Sequence, residues 1–232
     1  MEYLRGVELC EKWENIILLP IPSSRDKKTV LNTKVVINDL LSVVDNKTFV
    51  SGYGLDDEFI SGVCALGGGA VDLARDEGFL GENAYLTALA TIGIFLNTTT
   101  VSPSDASIGI VGYGRIGKRL ANLLLYLGAS IRVFTSRRDT RLDLCECGVA
   151  SVISCADADL SGLDLLINTA PAVIFSPEVI PAGLRIIDLA SGDNFPGVAG
   201  VEKYPSIPAK MFPLSAGRAW GRALESYLVN NP

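Results

Sequence analysis

The stretch SIGIVGYGRIGKRLANLLLYLGASIRVFTSRR, residues 107–138, decides the fold. An apolar strand runs into a glycine-rich turn, an amphipathic helix follows, and a second apolar strand comes directly after the helix. The turn Gly112-Tyr113-Gly114-Arg115-Ile116-Gly117 has the GxGxxG spacing. In that pattern the first glycine permits the turn, the second lets the backbone approach a diphosphate, and the third lets the helix lie close to the strand. In this setting the turn predicts a dinucleotide site.

The end of the second strand indicates which dinucleotide would bind. Sites for NAD usually place Asp or Glu there, accepting from the ribose 2′-hydroxyl. This chain reads Thr135-Ser136-Arg137-Arg138 and has no acid before Asp139. Hydroxyl and guanidinium donors suit a 2′-phosphate, which a carboxylate would repel. The sequence therefore favours NADP, with NAD as the alternative and an exposed loop of solvated arginines as the interpretation without a ligand.

The remainder of this half alternates apolar runs with helical segments, which predicts a mainly parallel sheet covered on both faces. The third feature expected at the cofactor is the strand-end sequence Asn168-Thr169-Ala170-Pro171. Asp188 ends a later strand and fits a structural carboxylate as well as a functional one. We predict six strands, at residues 107–111, 130–135, 150–153, 164–168, 185–189 and 209–212. The predicted class is α/β, a doubly wound parallel sheet of Rossmann type with a second, smaller, truncated α/β domain.

The domain boundaries follow from where the alternation of strands and helices begins, at Ser107. We assign residues 1–82, with a C-terminal helix at 216–232, to the smaller substrate-side domain, and residues 107–215 to the Rossmann domain. A linking helix and connector would occupy 83–106. Within the smaller domain, 15–21 is apolar and predicts a buried strand, 56–66 predicts a helix, and Gly67-Gly68-Gly69 predicts a helix-to-strand turn.

Composition excludes several classes of function. A net charge of −6 and a pI near 4.8 argue against nucleic-acid binding. Without any histidine the chain lacks the commonest general acid/base. Cys145, Cys147 and Cys155 do not have the spacing of a zinc site, so no metal is expected. The apolar run 88–96 is too short to cross a bilayer. Five cysteines without a secretory signal favour a cytoplasmic protein with reduced thiols.

These residues resemble a known family. The segments VGYGRIGKRLANLLLYLGASIRVFTSR, LDLLINTAP and IIDLASG, with IILLPIPSS and ENAYLTALA upstream, are similar to the A subunit of dipicolinate synthase over roughly residues 14–228. D-2-hydroxyacid dehydrogenases share only the cofactor-domain motifs. The resemblance implies an NADP-dependent oxidation of a dihydrodipicolinate-type cyclic dicarboxylate during sporulation, with a flavoprotein-like partner subunit. Homo-oligomerisation is a further expectation.

The same resemblance implies where a dicarboxylate would bind. Ser23, Ser24 and Arg25, on the loop after the first strand, are the first candidates, and Ser191 and Ser215, facing from the cofactor side, are the second. Three departures from the family bear on this. The chain begins late, as if three N-terminal elements of the family were missing. Residues 192–197 depart from its Pro-Gly-Gly-type turn, and Leu214 stands where it has lysine, for which Arg218 or Arg222 would compensate. The alternatives are a dinucleotide-binding paralogue without turnover and another small-substrate dehydrogenase.

Overall fold

The computed structural model describes residues 13–136, 151–153, 155 and 158–230. The chain divides into two units. Unit 1 comprises Met1–Asn83 and Leu214–Pro232, and unit 2 comprises Ala84–Pro213. The expected linker at 83–106 therefore lies almost wholly within unit 2, and the C-terminal helix belongs with the first unit.

Unit 2 contains a six-stranded sheet in which every pairing is parallel. Its strands are β4 (Ser107–Val111), β5 (Ser130–Phe134), β6 (Ser151–Ile153), β7 (Leu165–Asn168), β8 (Arg185–Asp188) and β9 (Val201–Lys203). The strand order is β6-β5-β4-β7-β8-β9, the doubly wound order whose direction reverses between β4 and β7. Ile108, Ile110 and Leu166 are completely buried because both faces of the sheet are covered.

One predicted strand, at 209–212, is wrong. Residues 209–211 fall in a short helix, α4 (Ile207–Met211), Phe212 follows as its C-cap, and the sixth strand is Val201–Lys203. Pro208 sits in the first turn, where its fixed φ favours a helix, and Ala, Lys and Met are good helix formers. The three-residue strand is too short for its pattern to stand out in the sequence.

The helix after the glycine turn is α3 (Arg115–Tyr126). Leu120, Ala121 and Leu124 are buried against the sheet. Leu127 is 42% exposed because the helix has already ended. Gly128 has φ +85° and donates to the Leu125 carbonyl, so it terminates the helix as a C′ glycine.

Unit 1 has a three-stranded parallel sheet that consists of β1 (Asn15–Leu18), β2 (Thr48–Gly52) and β3 (Gly69–Asp72), in the order β1-β2-β3. The first strand was predicted to be buried, but it is an edge strand and Leu18 is 46% exposed. Helix α1 (Asp57–Ala65) precedes the predicted glycine turn into β3. Helix α5 (Pro213–Asn230) buries Leu224 and Leu228 in one cluster with Trp13 and Phe49.

Helix α2 (Glu77–Thr98) begins in unit 1 and continues into unit 2. Its 22 residues include a window of mean hydropathy 1.4, so among the described residues it alone is long and apolar enough to cross a membrane. The apolar run 88–96, predicted to be too short to cross a bilayer, is only part of this helix, since the helix begins at Glu77. Half of the window is buried within the protein, and Ala88, Ala90 and Phe95 lie in the core of unit 2. Core helices share this length and composition.

Candidate dinucleotide-binding site

The glycine turn between β4 and α3 has a separate structural reason for each glycine. Gly112 has φ +86°, a conformation that L side chains rarely adopt. A Cβ on Gly117 would lie 2.3 Å from the Gly112 carbonyl oxygen, so any side chain there would push the helix off the turn. Gly114 has φ −82°, and no described atom lies within 4 Å of the Cβ it lacks. Because none of the described residues gives a packing reason for glycine at 114, the open side of this residue fits close approach by a ligand.

The charges around this turn also suit an anion. Arg115, Lys118 and Arg119 lie in the first five residues of α3, and the first turn contains no acid. This arrangement opposes the helix macrodipole, which favours negative charge at the N-terminus. The Lys118 ammonium lies 5.5 Å from the centre of the Tyr113 ring, within the turn. A bound diphosphate would be stabilised by these cations, by the dipole, and by the N–H groups that a helix N-terminus leaves without intrahelical acceptors.

A cavity of about 230 Å³ opens at the carboxyl ends of β4, β5 and β7, beside the turn. Eight predicted cofactor residues line it: Gly112, Tyr113, Gly114, Thr135, Ser136, Thr169, Ala170 and Pro171. Arg115, Ile116, Gly117 and Asn168 do not line it: the first three lie in helix α3, and Asn168 ends β7. Arg137 and Arg138 lie outside the described residues. Sequence patterns that are far apart in the chain therefore converge on one pocket.

The loop after β7 is held against the glycine turn. Thr169 donates from its hydroxyl to the Val111 carbonyl at 2.8 Å, and the same hydroxyl oxygen lies 2.9 Å from where a Gly112 Cβ would be. Asn168 is buried and brackets Ala170, accepting from its N–H at 3.1 Å and donating to its carbonyl at 3.0 Å. Asn168 therefore shapes the pocket wall without facing a ligand.

Four further residues in the pocket wall were not predicted as cofactor residues, and the first is Val111 at the end of β4. Phe134 is the last residue of β5, Cys155 follows β6, and Ile174 lies beyond the loop after β7. They supply apolar surface suited to a base. Ile174 and Cys155 belong to no motif, and only the sheet order places them here. Cys145 and Cys147 lie outside the described residues. Within those residues no group of three Cys, Asp or Glu side chains could hold a metal ion.

Among the first-choice substrate residues, Ser23 is not available to a ligand. It is completely buried, and its hydroxyl oxygen accepts from the Tyr53 N–H at 2.7 Å. Ser24 is half-buried and donates to Asp26 at 2.9 Å. Hydrogen bonds from the Thr29 and Lys28 N–H groups, and from Ser24, hold the pKa of the Asp26 carboxyl well below its ordinary value. Arg25 is exposed.

The two second-choice substrate residues, Ser191 and Ser215, belong to different units. Ser191 is exposed in unit 2, in the loop after β8, whereas Ser215 belongs to unit 1 and so does not lie on the cofactor unit as predicted. Leu214 is 55% exposed. Arg222 is paired with Glu82, with its Nε 3.1 Å from one carboxylate oxygen, so its charge is already engaged.

No family model and no curated protein matches the sequence, but solved structures do. The A subunit of dipicolinate synthase from Bacillus halodurans matches with a TM-score of 0.76 at 23% identity, over 92% of this chain and 79% of that one. The corresponding subunit from Bacillus subtilis matches with 0.77 at 19% identity, over 97% and 81%. The chain has the fold of this dipicolinate synthase subunit.

A transhydrogenase from Sinorhizobium meliloti also matches, with a TM-score of 0.62 at 19% identity over 82% of this chain and 70% of that one. These identities establish the fold alone. The resemblance seen in the sequence is thus confirmed for the architecture, an α/β fold of the kind found in Rossmann dehydrogenases. The substrate and the coenzyme are a separate question.

Proposed function

We propose that the protein is an NADP-dependent oxidoreductase similar in activity to the A subunit of dipicolinate synthase. The observation that carries the proposal is the glycine turn. Gly112 needs its positive φ, Gly117 is packed against the turn, and Gly114 has open space where a diphosphate would approach. A turn serving only the fold would explain Gly112 and Gly117 but not Gly114.

The preference for NADP over NAD rests on the end of β5. Thr135 is buried and Ser136 is exposed at the pocket, and neither is acidic. Arg137 and Arg138 follow at once in the sequence. A 2′-phosphate would gain charge-assisted hydrogen bonds from this segment, whereas the 2′-hydroxyl of NAD lacks its usual carboxylate acceptor.

The proposed substrate is a cyclic dicarboxylate of the dihydrodipicolinate type. Its conversion to the aromatic diacid breaks two C–H or N–H bonds and delivers one hydride to oxidised nicotinamide and one proton to solvent. Aromatisation drives proton loss, which suits a chain without histidine. The nicotinamide contributes the hydride acceptor. Exposed Arg25 is proposed as a donor to a substrate carboxylate in unit 1, with Ser24 as a weaker candidate because its proton is given to Asp26. Exposed Ser191 is a separate candidate in unit 2.

We further propose that the protein works in the cytoplasm during sporulation, with a flavoprotein-like second subunit or a second copy of this chain. The resemblance to dipicolinate synthase supports the role in sporulation and the flavoprotein-like subunit. Activity should therefore be measured for the protein alone and with such a subunit added.

One specific observation favours a second candidate, a dinucleotide-binding protein without turnover. Leu214, in place of the family's lysine, is exposed and carries no charge, and Arg222 is already paired with Glu82. If the lysine serves the substrate, the substrate side would then be incomplete while the coenzyme side remains intact.

Calorimetric titration of NADPH and NADH into the purified protein tests the proposal, followed by addition of a dihydrodipicolinate preparation with NADP⁺ and measurement of dipicolinate absorbance. Tighter binding of NADPH together with dipicolinate formation is the expected result. Binding of neither nucleotide would overturn the coenzyme site. Binding without turnover, even with the second subunit present, would favour the second candidate.

A further inference from the structure

A buried carboxylate lies beneath the loops at the carboxyl end of the sheet in unit 2. Asp188 ends β8, which is an interior strand between β7 and β9, and only 1% of its surface is exposed. It therefore lies in the interior of the sheet and not at its edge. Its Oδ1 accepts from Asn168 Nδ2 at 2.8 Å and from the Ala190 N–H at 3.2 Å.

The second partner of the carboxylate comes from the loop after β8. Asn194 is 3% exposed, and its Nδ2 lies 3.1 Å from Asp188 Oδ2 and 3.3 Å from Oδ1. The same amide nitrogen donates to the Ser191 carbonyl at 3.2 Å. Asp188 thus holds both ends of the 190–194 segment, through Ala190 at one end and Asn194 at the other.

Two loops are joined by this one side chain. Through Asn168 it connects to Ala170 in the pocket wall, and through Asn194 to the segment that contains Ser191. A buried network whose donors and acceptors are all matched is rigid, and an unmatched member is costly. A carboxylate surrounded by N–H donors from both loops therefore favours one relative placement of those loops.

The position of these loops indicates which half of a dinucleotide they serve. The pocket spans the carboxyl ends of β4, β5 and β7, and its β5 side, with Ser136, is the part that contacts the adenosine ribose in doubly wound sheets. The second nucleotide lies across the reversal of strand order, over the half that contains β7 and β8. The 190–194 segment follows β8, so it belongs to the second half.

We propose that Asp188 and Asn194 are positioning residues that fix the 190–194 segment for the nicotinamide half of the dinucleotide, while Asn168 fixes the wall of the adenosine pocket. This inference rests on the proposed coenzyme site. It assigns the adenosine half of the ligand to the Asn168–Ala170 branch of the hydrogen-bond network and the nicotinamide half to the Asn194 branch. The two branches are separable, because the bonds between Asn168 and Ala170 do not involve Asn194.

Calorimetry on the full chain with two probes tests the assignment: NADPH, and 2′,5′-ADP, which contains only the adenosine half. Asn194→Ala removes the Asn194 branch of the network. Asp188→Asn is nearly isosteric and presents an amide nitrogen to Asn194 while its oxygen continues to accept from Asn168. In each variant we expect NADPH affinity to fall about tenfold, near the contribution of one hydrogen bond to a charged group. Affinity for 2′,5′-ADP should change by less than about twofold.

Asp159→Asn is the matched control. It makes the same Asp-to-Asn change in unit 2 but outside the 190–194 segment, at an exposed carboxylate that accepts from the Ser161 N–H at 2.9 Å. It should bind both probes as the unaltered chain does. Equal losses of both probes, no loss of either, a similar effect in the control, or failure of both variants to fold would each overturn the positioning role. Binding of neither probe by the unaltered chain would instead overturn the coenzyme site itself.

Discussion

Gly117 and Gly112 are in backbone contact: a Cβ on Gly117 would lie 2.3 Å from the Gly112 carbonyl oxygen. Real side-chain atoms do not approach backbone oxygen so closely, so helix α3 can begin where it does only with glycine at 117. Gly114, three residues earlier, has no such neighbour within 4 Å. The contrast separates a glycine required by the fold from one that suits a ligand.

Alanine at these two positions should therefore have different effects. Gly114→Ala should leave stability unchanged or raise it by about 0.4–1 kcal/mol, since its φ of −82° suits alanine. It should also lower NADPH affinity at least about tenfold by filling the space a diphosphate would use. Gly117→Ala should lower the melting temperature as well as the affinity. Thermal unfolding and calorimetry measure both quantities, and a Gly114→Ala protein that binds NADPH normally would contradict a diphosphate at this turn.

Coenzyme selectivity should depend on the residues after β5. Arg137→Ala with Arg138→Ala should weaken NADPH more than NADH, because only NADPH carries the 2′-phosphate. Ser136→Asp should shift preference towards NADH by restoring the acceptor typical of NAD sites. The NADPH advantage of the unaltered chain should also shrink between low and high salt, because salt screens the attraction between arginine and phosphate. Equal losses for both coenzymes would contradict a 2′-phosphate site.

The sequence predicted the elements around the glycine turn because their signals are local. Strand β4 begins and ends where its apolar run does, and Gly128 marks the end of α3. The network at Asp188 could not be predicted, since its bond to Asn168 joins residues 20 positions apart and depends on strand register. The strand predicted at 209–212 was wrong because the prediction followed the apolar residues and not Pro208, which favours the first turn of a helix. A short apolar run does not distinguish a strand from a helix.

Cys155 offers a chemical probe of the pocket. It lines the cavity and is half-buried, whereas Cys64 is exposed in unit 1. Saturating NADPH should slow alkylation of Cys155 by a maleimide several-fold and leave Cys64 unaffected. Peptide mass spectrometry measures each cysteine separately. Equal alkylation of Cys155 with and without nucleotide, under conditions where calorimetry shows binding, would place the ligand elsewhere.

Ser23 should contribute to stability, and Arg25 to ligand binding. Ser23→Ala leaves the Tyr53 N–H without its acceptor in a buried site, which should cost about 1–3 kcal/mol. Both tryptophans, Trp13 and Trp220, lie in unit 1, so their fluorescence in urea reports unfolding there. Arg25→Ala should leave this transition unchanged. If Ser23→Ala were as stable as the unaltered chain, the assignment of Ser23 to the fold would be wrong.

The acid sensitivity of unit 2 should depend on Glu202. The Arg185 guanidinium, with its Nε 2.6 Å from Glu202 Oε1, lowers the pKa of that carboxyl, and the Tyr204 hydroxyl donates to the other oxygen at 2.7 Å. Because the folded pKa is depressed, the stabilisation is complete above the unfolded pKa, about 4.3. It is then lost as pH falls through the folded value. Glu202→Gln should reduce the free energy of unfolding by about 1 kcal/mol at neutral pH.

The difference between the two proteins should therefore narrow below about pH 4 and vanish once Glu202 is protonated in the unaltered chain, since a neutral acid and an amide then resemble each other. Far-UV circular dichroism in urea at a series of pH values measures the free energy of unfolding of both proteins. The difference between the two values removes the contribution of other carboxyls with lowered pKa, such as Asp159, because both proteins contain them. Asp193→Asn is the control, because its ion pair with Lys203, at 2.8 Å, is largely exposed and screened by solvent. A difference that stays constant from neutral pH to pH 3 would mean that Glu202 stabilises the fold by packing rather than by its charge.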